Sequence, residues 1–357
     1  MAPFNHLRRL AARLPLALLI LAAAPPVGAC TSAIVSRAAS ADGSMLLWKH
    51  RDSGHKDNVV ARVEGSGEAM AYVAVFNASD RALREAWAGV NEAGFAVMNT
   101  ASYNLAPDTA AIKDREGLVM TMALRSCRKA ADFTTLLDSL IATGQPLGVQ
   151  ANFGVIDPHG GAFYVEASDH AYTVFPIEQE KDGWMVRTNF SYSGSESGRL
   201  GVMRHATARR LIAAAAARQA LSPELLTDSL SRSFYHSGQG ADLLEAGLHS
   251  TPDLGDLIVR RSSCSSTVII LPPDGEPRMR VAIGNPLLSQ ARDVTLHNIP
   301  AELLPSGPSG HSPLCDRVNR LRDRVWSRKN ADGKWIINLD AYRRILRERA
   351  GKNDSRQ

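Results

Sequence analysis

The stretch Val27-Gly28-Ala29-Cys30-Thr31-Ser32-Ala33-Ile34-Val35 carries the residue around which chemistry can be built in this chain. Small residues lead up to Cys30, and a cut after Ala29 would leave Cys30 as the first residue. A cysteine at a chain start holds two useful groups, a thiol nucleophile and a free α-amine. The reference pKa of that amine is roughly 8, so it can accept a proton near neutral pH. A cysteine in mid-chain needs a base from elsewhere, usually a histidine. A terminal one brings its own.

The residues ahead of it fit such a cut. Arg8, Arg9 and Arg13 precede the apolar run from Leu14 to Leu21, and small residues follow. That is the order of a secretory signal over residues 1–29. The apolar run is too short to span a bilayer, and no later run approaches ~20 residues. The expectation is an exported chain, secreted or periplasmic. Val27-Gly28-Ala29-Cys30 also passes as a lipoprotein box, although position 27 would more typically be leucine. In that alternative the protein is a membrane-anchored lipoprotein or binding module. Cys30 would then be lipidated and acylated, and would be neither nucleophile nor base.

Positioning falls first to a hairpin. Thr31–Ser36 and Met45–His50 read as strands joined by the turn Ala41-Asp42-Gly43-Ser44, which returns Lys49-His50-Arg51-Asp52 to the neighbourhood of Cys30. A carboxylate there can hold the amine, and Asp52 is the candidate. A cation there would favour thiolate over thiol. Alternation along a strand puts Lys49 and Arg51 on one face and His50 on the other, so only one set can face the site.

Further strands are read at 58–63, 69–76, 86–91, 95–100, 152–156, 162–167, 171–176 and 184–189. A late hairpin joins 266–271 to 278–283. Helical periodicity marks 117–128, 130–143, 200–217, 223–234 and 238–249. A Pro/Gly/Ser-rich linker spans 300–313, and a basic helical extension, 314–357, follows with amphipathic stretches at 314–328 and 340–349. Strands in runs followed by helices in runs argue α+β with antiparallel sheets. At 357 residues, 45% apolar and 22% charged, one large domain over 30–299 with an appendage is expected.

The remaining features exclude several chemistries. The cysteines Cys30, Cys127, Cys264 and Cys315 lie too far apart, with too few histidines, for a zinc site. With Cys30 kept for chemistry, at most one disulfide can form among the other three. His50 and His55 lack the spacing of a helical metal pair, so neither metal nor cofactor is expected. Asp157-Pro158-His159-Gly160-Gly161 looks like a lipase glycine loop, but no G-x-S-x-G elbow accompanies it, and a hairpin turn explains it better. The net charge of +5 comes largely from arginines beyond Pro313. No nucleic-acid motif accompanies them. A solvated helix face is the plain reading, and loose contact with an anionic envelope surface the sharper one.

Several of these segments recur, in order, in a known family. The opening Cys30-Thr31, the return Trp48-Lys49-His50-Arg51-Asp52, the run Gly89 to Asn99, Arg187-Thr188-Asn189, and the late Ser265 to Ile270 hairpin ending Ile283-Gly284-Asn285-Pro286 resemble the N-terminal-nucleophile hydrolases with a cysteine nucleophile. Within them the chain is similar to the choloylglycine hydrolase and penicillin V acylase family, and to the related isopenicillin N acyltransferase family. The resemblance covers roughly Cys30 to Pro286. It implies a four-layer αββα sandwich, here with a short helical C-terminal extension. It also implies hydrolysis of a linear, non-peptide amide C–N bond of a small N-acyl compound, through an acyl-thioester, with acyl transfer to an amine as the alternative. By position, Cys30 matches the nucleophile and Asp52 the carboxylate holding its amine. Lys49 falls where bile-salt hydrolases carry an arginine, a departure that keeps the charge and loses the planar fork. Asn189 matches an oxyanion-hole asparagine, the Asn99 region a second site asparagine, and Arg204 a buried site arginine, with Arg199 as a competing candidate. A homo-oligomer is compatible with this reading.

Overall fold

The computed structural model describes residues 28–105, 114–253 and 255–354. All of the expected export signal but its last two residues lies outside the described residues. β1 (Ala29–Val35) and β2 (Met45–Asp52) form the hairpin expected after Cys30, in a register that pairs Ala29 with Asp52 and Cys30 with Arg51. An antiparallel run follows: β3 (Asn58–Val63), β4 (Tyr72–Asn77), β5 (Ala88–Asn91) and β6 (Ala96–Ala101). The chain then forms α1 (Glu116–Ser126) and α2 (Ala130–Ile141) before resuming with β7 (Ala151–Ile156), β8 (Ala162–Ala167) and β9 (Tyr172–Pro176). Strands β3 to β9 make one seven-stranded sheet in sequence order.

β10 (Trp184–Arg187) crosses back to pair with β1, and α3 (Val202–Ala216) follows. Three short pieces come next: β11 (Tyr235–His236), β12 (Ala241–Asp242) and β13 (Ser250–Pro252). The long β14 (Ser263–Leu271), β15 (Arg278–Ile283) and β16 (Arg292–Thr295) complete a six-stranded sheet of order β10-β1-β2-β14-β15-β16.

Strand alternation builds the layers. Ile34, Met45 and Leu47 point from the six-stranded sheet into a core shared with Val73, Val75, Val90 and Met98 of the seven-stranded one. Ala33, Val35, Leu46 and Trp48 point the other way, against Ile212 and Ala208 of α3. The far face of the seven-stranded sheet is covered by Met120 and Leu124 of α1 and Phe133 and Leu137 of α2. The result is the αββα sandwich expected. Both faces of each sheet are covered, so central strands such as β2 are buried at every position. Between the sheets, a Cβ on Gly154 would lie 2.4 Å from Met98 Cε and 3.0 Å from Leu47 Cδ1, so side chains of both sheets close in on this glycine.

Three readings are corrected. Residues 238–249 are not a helix: Gly240 and Gly247 have φ of +67° and +73°, and the Asp242 carboxylate accepts from the N–H groups of Leu244 and Glu245, closing a turn instead. Residues 223–234 form a π turn at Leu225–Ser229 and a 3₁₀ turn at Leu230–Arg232, not one α-helix. The segment after residue 300 is part of the main body. In 300–313 a 3₁₀ turn buries Leu303. α4 (Pro313–Val325), β17 (Arg328–Lys329), β18 (Trp335–Asn338) and α5 (Leu339–Asp354) follow, with β18 paired to β13. Val318, Val325, Trp326, Leu339 and Ile345 join the same core as the sheets.

Cys127, Cys264 and Cys315 are free, buried thiols. Burial pushes them up to about 12, 11 and 12 respectively. That fits packing groups, not nucleophiles.

If the C-terminal segment belongs to the core, Trp326→Ala should cost about 3–5 kcal/mol. Urea unfolding of the variant should remain a single transition with an earlier midpoint. An unchanged midpoint would make the segment an appendage.

Candidate active site

On β1, Cys30 lies on the same face as Ile34, turned toward the second sheet; on β2, Lys49 and Arg51 share the face of Leu47. A cavity of about 480 Å³ opens beside them, its wall including Cys30, Lys49, Trp87, Asn99, Tyr103 and Glu116. Cys30 is 7% exposed. His50 points to the opposite face, where Nε2 lies 2.9 Å from Ser263 Oγ.

Asn189 is held from every side. Its Oδ1 accepts from the main-chain N–H of Cys30 at 3.0 Å and from Arg204 Nη2 at 2.6 Å. Its Nδ2 donates to the carbonyl of Ala101 at 2.9 Å and lies 3.5 Å from that of Gly28. Two donors at the oxygen and two acceptors at the nitrogen settle which way the amide faces. The backbone around Asn189 is fixed as well. Thr100 Oγ1 and Asn152 Nδ2 both donate to the carbonyl of Thr188, and Asn152 also reaches that of Phe190. Just ahead, Arg187 pairs with Glu166 at 2.8 Å and lies over the Tyr192 ring at 3.7 Å; Glu166 also accepts from the N–H groups of Tyr192 and Ser193.

Arg204 folds back from the first turn of α3. A Cβ on Gly201 would sit 2.4 Å from its guanidinium, so the glycine makes room for it. Nη1 donates to the carbonyl of Cys30 at 2.6 Å and to Thr31 Oγ1 at 3.2 Å. Burial pulls Arg204 down to about 10, still charged at neutral pH. The competing Arg199 pairs with Glu196 at the surface and does not enter the site.

Lys49 donates to Asn99 Oδ1 at 2.6 Å and to the carbonyl of Trp87 at 2.7 Å. Burial pulls it down to about 8; Cys30 works in the other direction, and Arg51 adds to the fall. Asp52 faces away from this side of the strand. It accepts two hydrogen bonds from Arg260, at 2.6 and 3.0 Å, and one from Ser263 Oγ at 2.5 Å. Burial alone would raise its carboxyl, but Arg260 outweighs that, with His50 helping, and holds it well below the usual carboxylate range. The structure thus brings Cys30, Asn189 and Arg204 into direct contact and sets Lys49 and Asn99 on the same cavity. Asp52 lines that cavity too, while its carboxylate is occupied by Arg260 and Ser263 and the Cys30 N–H goes to Asn189.

Among solved structures, the chain is similar to an N-acylethanolamine-hydrolyzing acid amidase ortholog of Caenorhabditis elegans, at 15% identity and a TM-score of 0.37 over 51% of this chain and 77% of that one. A variant of conjugated bile acid hydrolase from Clostridium perfringens matches at 11% identity and 0.42, over 76% and 94%. Penicillin V acylase from Agrobacterium tumefaciens matches at 11% and 0.40, over 76% and 87%. No protein-family model and no curated protein sequence matches the chain. The layering described above rests on this chain's own packing.

Several residues of the site had no signal in the sequence. Tyr103, in the loop after β6, donates its hydroxyl to the carbonyl of Gly28, and burial raises its pKa. Arg260 and Ser263 reach Asp52 from more than 200 positions away. Trp87 lies under the Arg51 guanidinium at 4.4 Å, which places that second cation. Among the described residues, Asp57, His311 and Asp316 have donor atoms within 4.8 Å of one another, as a metal would need. They pair with each other and are not in the wall of the Cys30 cavity.

Replacing Asp52 by Asn leaves the Arg260 charge buried without its partner, at a cost of about 3–5 kcal/mol. The native carboxyl sits below its unfolded value of roughly 3.9, so its stabilisation is complete above that pH and drains away as pH falls toward the lowered value. Acid unfolding of Asp52→Asn should therefore show a shallower slope below pH ~4 than the parent chain. Parallel curves would remove Asp52 from this role.

Proposed function

We propose that the chain is an exported cysteine amidase that cleaves a linear, non-peptide amide C–N bond of a small N-acyl compound, with Cys30 as nucleophile after removal of residues 1–29. One observation carries the reading. The main-chain nitrogen of Cys30 is held by Asn189 Oδ1, while the Nδ2 of the same side chain faces a carbonyl oxygen, that of Gly28. A single fixed amide thus grips the future amine and offers a donor to a carbonyl beside the thiol. Tyr103 donates to the same oxygen. Loss of the leader frees both donors for the carbonyl of a substrate.

The steps follow from these positions. With Ala29 gone, the Cys30 nitrogen becomes an amine. It takes the thiol proton as sulfur attacks the carbonyl carbon, and Asn189 Nδ2, with Tyr103, meets the oxygen that becomes negative. Collapse breaks the C–N bond; the protonated amine gives its proton to the leaving nitrogen, and an acyl-thioester remains. Water then attacks, gives its proton to the amine, and releases the acid as the sulfur is reprotonated. Arg204 orients Asn189 and the Cys30 carbonyl without touching the reacting atoms. Lys49 contributes positive charge near the sulfur. The place of Cys30 in the wall of a small-molecule-sized cavity between the sheets, and not on the outer surface, favours this reading over a lipidated terminus.

The first test is the intact mass of the exported protein, with turnover of a panel of N-acyl amides by it and by Cys30→Ala. We expect a chain starting at an unmodified Cys30, and a loss of about 10³-fold or more in the variant. A diacylglycerol mass on Cys30, or full activity in the variant, would sink the assignment.

The Lys49 charge supplies a pH signature. It is lost as pH rises through about 8, so kcat/KM should fall along that alkaline limb. Lys49→Arg, which stays charged, should move the limb upward by a unit or more. A limb that does not move would show that Lys49 contributes no charge to the reaction.

A further inference from the structure

On the other side of the Asp52–Arg260 pair lies a second cavity, of about 700 Å³, that the chemistry above does not use. Three distant parts of the chain meet there. Lys56 comes from the loop after β2, Arg260 and Arg261 from the segment ahead of β14, and Arg322 from α4, with Trp335 of β18 beside them. Among the described residues, four cations face one carboxylate in this wall, Asp253. Its Oδ2 already accepts from the Arg261 main-chain N–H at 2.8 Å and from Trp326 Nε1 at 3.0 Å. Arg260 is matched by Asp52.

Arg261 and Arg322 are not matched in the same way. They share Asp323 at 3.7 and 3.6 Å, outside hydrogen-bond range, and that carboxylate is 63% exposed. The Nε of each, like that of Arg204, is buried without a hydrogen-bond partner, and the Arg322 side chain is only 6% exposed. The Arg261 guanidinium lies over the Trp335 ring, 3.9 Å from its centroid. Burial, and then the charge of Arg322, lowers the Arg261 pKa, as crowding of two cations requires. The partner that suits two neighbouring guanidinium forks on one cavity wall is a planar or tetrahedral oxyanion.

We propose that this cavity is an oxyanion-binding site, taking a carboxylate or phosphate group between Arg261 and Arg322 with Lys56 at its rim. Ser53 and Gly54 line both this cavity and that of Cys30. The oxyanion can therefore be a free small anion, or the acidic end of a molecule whose amide lies over Cys30. Only the second source rests on the amidase reading.

Calorimetric titration of the exported protein with inorganic phosphate at low salt tests the site itself. We expect the Arg261→Gln/Arg322→Gln double variant to bind at least tenfold more weakly. Arg320→Gln, an exposed neighbour on α4, should bind as the parent does. Arg322→Lys, which keeps the charge but loses the fork, should fall between them and covers the case in which the double variant fails to fold. Equal phosphate affinity in the parent, Arg320→Gln, Arg322→Lys and any folded double variant, or none in the parent, would overturn the proposal. A second arm separates the sources by comparing an N-acylglycine with the N-methylamide of the same acyl chain. If the acidic end of the substrate occupies the site, Arg261→Gln raises KM for the N-acylglycine alone and phosphate competes with it. If a free anion does, the two substrates respond alike.

Discussion

Around Cys30 the chain buries more charge than apolar packing can tolerate unaided. Lys49, Arg51, Asp52 and Arg204 are each at most 4% exposed. A buried ion survives only where partners replace its water, and losing one partner costs several kcal/mol. Each of these four has found partners, and the partners are the site. Arg204 is held through its two terminal nitrogens by the Cys30 carbonyl and Asn189, with its Nε left without a hydrogen-bond partner, Asp52 is held by Arg260 and Ser263, and Lys49 by Asn99 and the Trp87 carbonyl. Arg51 donates to Asn58 and Asn77 over the Trp87 ring. Moving any one side chain strands another, so the geometry near the thiol is held rigid before a substrate arrives.

Strand β2 shows how a sandwich puts two environments on one short segment. Lys49 and Arg51 look into the cavity between the sheets, and His50 and Asp52 look toward the β14 side, one residue apart. The carboxylate is thereby shielded from the lysine that its sequence neighbourhood would pair with it. It takes its counter-charge from Arg260 instead. The Asp52–Arg260 pair is consequently a partition between two cavities, one beside the thiol and one lined by the arginines of α4 and the segment before β14.

The C-terminal segment closes that second cavity. Many of its arginines, Arg317, Arg320, Arg324 and Arg328 among them, lie on a solvated face as expected, and several also pair within the chain. Arg317 pairs with Glu302, Arg324 with Glu348, and Arg343 with Asp340. Apolar residues at helical spacing in α4 and α5 pack under the sheets, and β18 adds a strand to β13. The segment lines the site's surroundings and contributes to the core in equal measure.

The hairpin from Cys30 to Asp52 was legible because its turn and its apolar runs are local signals, and period-two alternation correctly put Lys49 and His50 on opposite faces. The sandwich was legible from the order of strands and helices together with a family resemblance. The preference for Arg204 over Arg199 came from that resemblance alone, because the physical reason, Gly201 letting one side chain fold back onto Asn189, belongs to the fold. Tyr103, Arg260 and Ser263 were invisible for a related reason: they act on groups that only the folded sheets bring near. So was the place of the C-terminal segment, since charged helix faces look alike whether they meet water or one another. Short-range patterns of residue type determine which elements form and which way their side chains alternate. Which charge meets which, across a hundred residues or more, is decided by the packing of one layer against the next.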